Sequence, residues 1–343
     1  MIRVGINGFG RIGRAITRII SQKKGIKLCV INDLNNDLNN LAYLLKYDSV
    51  YGKFNKEIKT LGKDLVIDKK KIKVFSKKRI QDVKWKENKV DIVIEATGTN
   101  SNLIASRKIL SKNLKKVIVT HSPKQNVDFT MILGVNEKSY NFKKHNVISS
   151  SICDASAIGP ILYQIQKKWG IKNGYVTTLH SRLAYQNLLD GSVQSVSNPG
   201  HNWKDYSLGR NSFASLITKK TTAIEAVNRC IPKISQKISG LSFRVPTAIV
   251  CGSDISINLK KNSSIGEVKE FFENLSKKKS KIFEYQKEPL VSIDHLKTSK
   301  SVIIDSNYID LNNSNLLKLV VWYDNEWGYS NRVIDILKYV IKE

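Results

Sequence analysis

Cys153 and His180 are the side chains best suited to bond-making chemistry. A thiolate is a strong nucleophile and an imidazole exchanges protons near neutral pH. Together they make an activated nucleophile with a general acid–base partner. Cys153 follows Ser149-Ser150-Ser151-Ile152 and precedes Ala155, Ile158 and Ile161-Leu162 at helical spacing. A cysteine that opens a helix meets the positive end of its dipole, which predicts a lowered thiol pKa. His180 closes an apolar run over residues 175–180 that is expected to be a strand. Spacing alone also admits the plainer reading, a buried structural cysteine and a histidine held by hydrogen bonds.

A second set of residues is suited to holding a dinucleotide. Ile2, Val4 and Ile6 form a short apolar strand, followed at once by Gly8-Phe9-Gly10-Arg11-Ile12-Gly13. Ile12, Ala15, Ile16, Ile19 and Ile20 then recur at helical spacing, and a strand over residues 26–31 ends at Asn32-Asp33. Gly8 allows the tight turn, Gly10 lets backbone approach a pyrophosphate, and Gly13 lets helix and strand pack closely. The phosphates meet the N–H groups at the helix start, where Arg11 and Ile12 stand. Asp33 can accept both ribose hydroxyls of an adenosine, and its charge would repel a 2′-phosphate. That predicts NAD and not NADP.

Further elements must position these groups. Residues 90–96, 117–119 and 147–148 are apolar runs of the kind found in parallel strands buried on both faces. Ligands sit at the carboxyl ends of such strands, which puts Thr97, Gly98 and Thr120 near the cofactor; ordinary strand-to-helix turns are the plainer reading. After Cys153 the texture changes. Residues 175–180, 242–259 and 316–323 read as strands with few helices between them, so a mostly antiparallel second sheet is expected. Helices are expected over residues 267–275 and 331–341. The fold class is therefore α/β plus α+β: an N-terminal Rossmann domain with a doubly wound parallel sheet, then a mostly antiparallel catalytic domain.

Composition narrows the classes. The chain has 343 residues, enough for about two domains. With 41% hydrophobic residues it can bury a sizeable core, which argues against disorder. No apolar stretch is long enough for a spanning helix, and Met1-Ile2-Arg3-Val4 leads straight into a strand with no signal segment expected. Cys29, Cys153, Cys230 and Cys251 form no Cys-x-x-Cys pair, so neither a disulfide framework nor a structural zinc site is expected; no metal is predicted and the cytoplasm fits best. The formal charge is +28, from 57 basic and 29 acidic residues. Only eleven of the basic residues are Arg, and Lys is spread along the chain with runs at 69–71 and 277–279. A solvated lysine surface accounts for this; attraction of polyanions, nucleic acid included, is the sharper alternative.

Four spaced motifs carry a resemblance to the glyceraldehyde-3-phosphate dehydrogenase family. They are Gly5-Ile6-Asn7-Gly8-Phe9-Gly10-Arg11-Ile12-Gly13-Arg14; Leu44-Leu45-Lys46-Tyr47-Asp48-Ser49-Val50 with Gly52; Phe243-Arg244-Val245-Pro246-Thr247; and Trp322-Tyr323-Asp324-Asn325-Glu326-Trp327-Gly328-Tyr329-Ser330. The resemblance implies Cys153 as nucleophile, His180 as base and Arg244 on the substrate phosphate. It also implies Asn325 on the nicotinamide carboxamide with Tyr329 nearby. It implies NAD-linked oxidation of a phosphorylated aldehyde, by default D-glyceraldehyde 3-phosphate, through a thioester that phosphate then attacks. The last helix would return to the cofactor domain, giving domains over residues 1–152 with 325–343 and over 153–324. A homotetramer is implied as well.

The chain departs from the family around the nucleophile. Where the family reads Ser-Cys-Thr-Thr-Asn-Cys, this chain reads Ile152-Cys153-Asp154-Ala155-Ser156-Ala157. Two hydroxyls that would cradle inorganic phosphate have become an isoleucine and a carboxyl, and an ionised Asp154 would repel phosphate. Leu183 and Tyr185 stand at two positions usually Thr. Lys220-Thr221-Thr222 aligns with the family's Ser-Thr-Gly step, so Thr221 survives. Arg210 is retained, with Leu208 where another Arg is common. These changes leave open erythrose 4-phosphate or another sugar-phosphate aldehyde as substrate, and water as acyl acceptor. A cationic polyanion binder on the same fold is the alternative of a different class.

Overall fold

The computed structural model describes residues 1–196 and 198–341. Two compact units emerge. The first comprises Met1–Met131, Ser139–Ser151 and the chain from Ser330; the second comprises Ile132–Lys138 and Ile152–Tyr329. Residues 132–138, residue 152 and residues 325–329, expected with the first unit, thus lie with the second.

The first unit is built on a nine-stranded sheet. In chain order its strands are β1 (Ile2–Asn7), β2 (Ile26–Asn32), β3 (Ile58–Leu61), β4 (Asp64–Ile67), β5 (Lys70–Phe75), β6 (Ile92–Glu95), β7 (Lys116–Val119), β8 (Phe129–Thr130) and β9 (Val147–Ser149). Their spatial order is β3-β4-β5-β2-β1-β6-β7-β9-β8, parallel from β5 onward. Helices α1 (Arg11–Ile20), α2 (Leu38–Lys46) and α3 (Asn100–Ala105) connect them. Strand order reverses between β1 and β6, where a doubly wound sheet opens its ligand crevice. The central strands are apolar throughout because neither face meets water: Val4, Ile6, Val93, Val117 and Ile118 are fully buried. Each such side chain contributes about 1.5–3 kcal/mol of burial free energy. Within the β3–β5 meander only β4 has an apolar run, Leu65-Val66-Ile67, while β3 and β5 are interrupted by Lys59, Lys71 and Lys73.

The second unit carries a seven-stranded sheet of β10 (Ile171–His180), β11 (Ile217–Lys220), β12 (Ile238–Arg244), β13 (Cys251–Leu259), β14 (Phe283–Gln286), β15 (Val302–Asn312) and β16 (Leu316–Tyr323). The order is β11-β12-β10-β13-β16-β15-β14, and only β10–β12 and β14–β15 are parallel pairs. Helices α4 (Cys153–Lys168), α5 (Ala223–Asn228) and α6 (Ile265–Lys278) share one core with its inner face. Along β13, Ile255, Ile257 and Leu259 are buried while Asp254, Ser256 and Asn258 are not, the period-two pattern of a sheet covered on one side. The run expected as one β-rich stretch over 242–259 is two strands. Pro246 lies in the break and cannot donate a ladder bond, and buried Val250 turns the chain at φ 65°. Helix α7 (Trp327–Ile341) starts four residues before the expected helix. Among the described residues, no helix is long and apolar enough to cross a membrane.

At the end of β6 the fold buries a carboxyl. Glu95 is fully buried and accepts from Asn7 Nδ2, Thr97 N and Thr97 Oγ1. Burial outweighs these bonds and pushes it from 4.5 up to about 7. The folded state therefore keeps a proton that the unfolded chain has already released. Stability from this group is complete below the unfolded value and falls as the pH rises, by roughly 3 kcal/mol once past 7. Glu95→Gln is expected to flatten that part of the profile. Urea unfolding at about pH 5 and about pH 8 checks this; a variant whose slope matches wild type would contradict it.

Candidate active site

The nucleophile candidate stands where a buried strand meets a helix. Ser149, Ser150 and Ser151 are buried, Ser151 turns the chain at φ 61°, and Cys153 is the first residue of α4. His180 is the last residue of β10. Parallel register sets it opposite Arg244 of β12, while antiparallel register sets Cys251 of β13 opposite Tyr323 of β16. Four neighbouring strands thus deliver their end residues to one edge of the sheet.

There Cys153 Sγ lies 3.6 Å from His180 Nε2. His180 Nδ1 lies 2.7 Å from the Ser181 carbonyl, which can only accept, so Nδ1 carries the proton and the Nε2 lone pair faces the sulfur. Burial lowers the pKa of His180 below the ordinary histidine value, although Asp154 pulls the other way. The ring is therefore neutral and ready to take a proton. The expected thiolate is not what the surroundings favour. Desolvation raises the Cys153 pKa well above the ordinary value, and the Asp154 carboxyl raises it further. A helix start is present, but its partial charge loses to burial and a neighbouring carboxyl.

Asp154 is the unexpected centre of this group. It is 6% exposed, and its Oδ1 accepts from Tyr323 Oη at 2.9 Å and from Cys153 Sγ at 3.6 Å, with His180 Nε2 at 3.7 Å. Tyr323, Ser181 and Cys251 were not singled out from sequence. The inward parity of β16, with Leu317, Leu319, Val321 and Tyr323 buried in alternation, is the signal that finds Tyr323. Ser181 Oγ donates to Asn325 Oδ1 at 3.2 Å and lies 3.7 Å from Cys251 Sγ, so Asn325 is anchored one residue from the base. Tyr329 is buried in the first turns of α7.

A cationic patch lies on the same unit. Arg244 is 9% exposed and donates to Ser242 Oγ at 3.0 Å. Despite desolvation its charge is favoured, chiefly by Tyr185, which also hydrogen-bonds it, and by Asp154. Tyr185 stacks on Trp203, and Lys219 Nζ sits 4.0 Å from the Trp203 ring centroid. Tyr185, a departure at sequence level, therefore links two cations. Thr221 Oγ1 accepts the Ala223 amide at 3.0 Å, at the start of α5. Arg210 does not join this group; its side chain is 68% exposed and pairs with Asp190 at 2.7 Å.

The glycine loop in the first unit has the three roles its spacing requires. Gly8 has φ 97°, and a Cβ there would lie 2.7 Å from the Ala96 carbonyl carbon. A Cβ on Gly13 would lie 2.2 Å from the Gly8 oxygen, whereas one on Gly10 would meet nothing within 4 Å. No side chain caps α1, which begins beside that open space, and a helix start favours an anion. These residues fit a dinucleotide's phosphates. The Arg11 guanidinium pairs with Asp48 at 2.6 Å, and Asp48 accepts from the Val50 and Tyr51 amides, which ties the second motif to the loop. Asp33 Oδ2 accepts from Phe9 N at 2.6 Å. Thr120 N and Oγ1 both bond the Glu95 carbonyl, so Thr97, Gly98 and Thr120 gather around the ends of β6 and β7.

Comparison with known proteins agrees with these elements. Residues 2–103 match the family described as glyceraldehyde 3-phosphate dehydrogenase, NAD binding domain, and residues 152–325 match its C-terminal domain. A glyceraldehyde-3-phosphate dehydrogenase 1 of Kluyveromyces lactis is 37% identical over 341 residues, covering 99% of this chain and 100% of the relative. A glyceraldehyde-3-phosphate dehydrogenase of Colletotrichum lindemuthianum is 37% identical over 343 residues, covering 99% and 98%. One described as cytosolic, from Gracilaria gracilis, is 35% identical over 341 residues, covering 99% and 98%.

Two outcomes follow from the geometry. Gly13→Ala forces a backbone clash and is expected to cost about 1–3 kcal/mol in denaturant unfolding, while Gly10→Ala leaves stability near wild type and weakens NAD binding. Equal stability losses would show that Gly10 is merely structural. Asp154→Asn removes one of the forces that keep the thiol protonated, so iodoacetamide should alkylate Cys153 about 3- to 10-fold faster at neutral pH. A rate no faster than wild type would mean the carboxyl does not act on the sulfur.

Proposed function

Because the chain belongs to the glyceraldehyde-3-phosphate dehydrogenase family, we propose that Cys153 and His180 carry its reaction on a phosphorylated aldehyde. It is an NAD-dependent oxidoreductase of that type. The observation that carries the residue assignment is the neutral imidazole whose Nε2 lone pair faces Sγ at 3.6 Å. His180 takes the thiol proton as sulfur attacks the aldehyde carbon, and returns it to the new alkoxide. In the hemithioacetal, His180 then takes the hydroxyl proton as the carbonyl re-forms to give the thioester. Bound NAD supplies the hydride acceptor. The Cys153 backbone N–H and the His180 ring are placed by this assignment to stabilise the oxyanion.

Arg244 binds the substrate phosphate in this reading, with Lys219 and Tyr185 extending the cationic surface and Thr221 bordering it. D-glyceraldehyde 3-phosphate is the default substrate and inorganic phosphate the default acyl acceptor. For the cofactor we assign Gly8, Gly10, Gly13 and the amides of Arg11 and Ile12 to the pyrophosphate. Asp33 takes the adenosine ribose, Thr97, Gly98 and Thr120 border the site, and Asn325 with Tyr329 serves the nicotinamide. The first unit then acts as the NAD-binding domain and the second as the catalytic domain. A cytoplasmic homotetramer completes the proposal.

One observation favours a second reading of the deacylation step. Asp154 puts a carboxyl 3.6 Å from the sulfur, where the family has a hydroxyl. Two unit charges 4 Å apart repel by about 4 kcal/mol at an effective dielectric constant near 20. An ionised Asp154 would oppose an anionic acceptor by that term and would not oppose water. Assays of NADH formation with and without inorganic phosphate decide between the two. A phosphate-dependent rate supports phosphorolysis; an indifferent rate with free acid as product supports hydrolysis. Cys153→Ser is expected to lose activity by about 1,000-fold or more in either case. Retained turnover in that variant would overturn the assignment.

A further inference from the structure

Among the described residues, Cys153, Asp154 and His180 are the one trio of potential metal ligands whose sulfur, oxygen and nitrogen atoms all lie within 4.8 Å of one another. The trio is close to an equilateral triangle: 3.6 Å from Sγ to Nε2, 3.6 Å from Sγ to Oδ1 and 3.7 Å from Nε2 to Oδ1. Tetrahedral zinc with ordinary bond lengths requires about 3.5–3.6 Å for each edge to sulfur and about 3.4 Å between nitrogen and oxygen. The side chains therefore already stand within a few tenths of an ångström of that geometry. Neighbouring bonds are those of a metal site as well. His180 donates its Nδ1–H to the Ser181 carbonyl, which fixes the tautomer that offers Nε2, and Tyr323 orients the Asp154 carboxyl.

We infer that Cys153, Asp154 and His180 form a three-ligand site for a zinc-class divalent cation whose occupancy reversibly silences the nucleophile. The thiol loses its proton to solvent as the S–metal bond forms, and water fills the fourth position. A bound ion occupies both the sulfur that must attack and the lone pair that must take its proton. Asp154 distinguishes this site from a cysteine–histidine pair alone, because it adds the third ligand.

The inference rests on ligand geometry and is read without turnover, so it stands or falls apart from the substrate assignment. Zinc alone is titrated into the full-length protein by calorimetry, and cobalt(II) alone is used as an absorbing substitute. The expected result is one ion per chain, with a thiolate-to-cobalt charge-transfer band and the strong visible bands of tetrahedral cobalt. Asp154→Asn and Asp154→Thr should each weaken zinc by about 10-fold or more, and Cys153→Ser should abolish the charge-transfer band. Threonine is the residue usual in the family at this position, so one of the two variants keeps the ordinary fold. No stoichiometric uptake by wild type, unchanged affinity in both Asp154 variants, or a band that persists without Cys153 would each overturn the site.

Discussion

The 2.7 Å hydrogen bond from His180 Nδ1 to the Ser181 carbonyl is the constraint on which the catalytic edge depends. It leaves a single lone pair on the ring and directs it at sulfur and carboxyl together. Without it the ring could turn or change tautomer, and neither proton transfer nor ligation would have a defined acceptor. The bond is buried and adjacent in sequence, so little chain entropy opposes it. Ser181 also reaches Asn325 and Cys251, which couples the base to the strand ends around it.

Electrostatics in this pocket run against a resting thiolate. Burial disfavours charge on both Cys153 and His180, and Asp154 adds negative potential beside the sulfur. A neutral thiol facing a neutral imidazole is the outcome. In the proposed reaction proton transfer therefore accompanies attack, as His180 takes the thiol proton. Arg244 supplies the positive counterpart, and Tyr185 and Lys219 extend it over an aromatic wall. The chain's +28 charge reinforces such a site for anionic substrates without any need for a nucleic-acid role.

The glycine loop shows how a fold can be written in three residues. Gly8 and Gly13 have no room for a side chain, whereas Gly10 has room and leaves it open. The first two serve packing, and the third leaves the space that the proposed cofactor site requires. Spacing alone assigns the three their separate roles, and the space around each one agrees with that assignment.

What was legible in the sequence was whatever local spacing and burial period encode. The Gly-x-Gly-x-x-Gly turn, the apolar parallel strands, the helix behind Cys153 and the antiparallel texture of the second half all follow from side-chain periodicity. Their reading needs no distant contact. The β3–β5 meander, the break at Pro246 and the membership of residues 132–138 were hidden. Short lysine-interrupted strands, a single proline and a short linking segment carry no such period. Site chemistry was decided elsewhere. Sequence placed Cys153 at a helix start and suggested a thiolate. Desolvation, and a carboxyl brought within 3.6 Å, reversed that, because both depend on how tightly the surrounding elements pack. Tyr323, 169 residues from Asp154, meets it only because strand register sets Tyr323 opposite Cys251 at the end of β16 while Asp154 stands in the first turn of α4, a pairing no local pattern can specify.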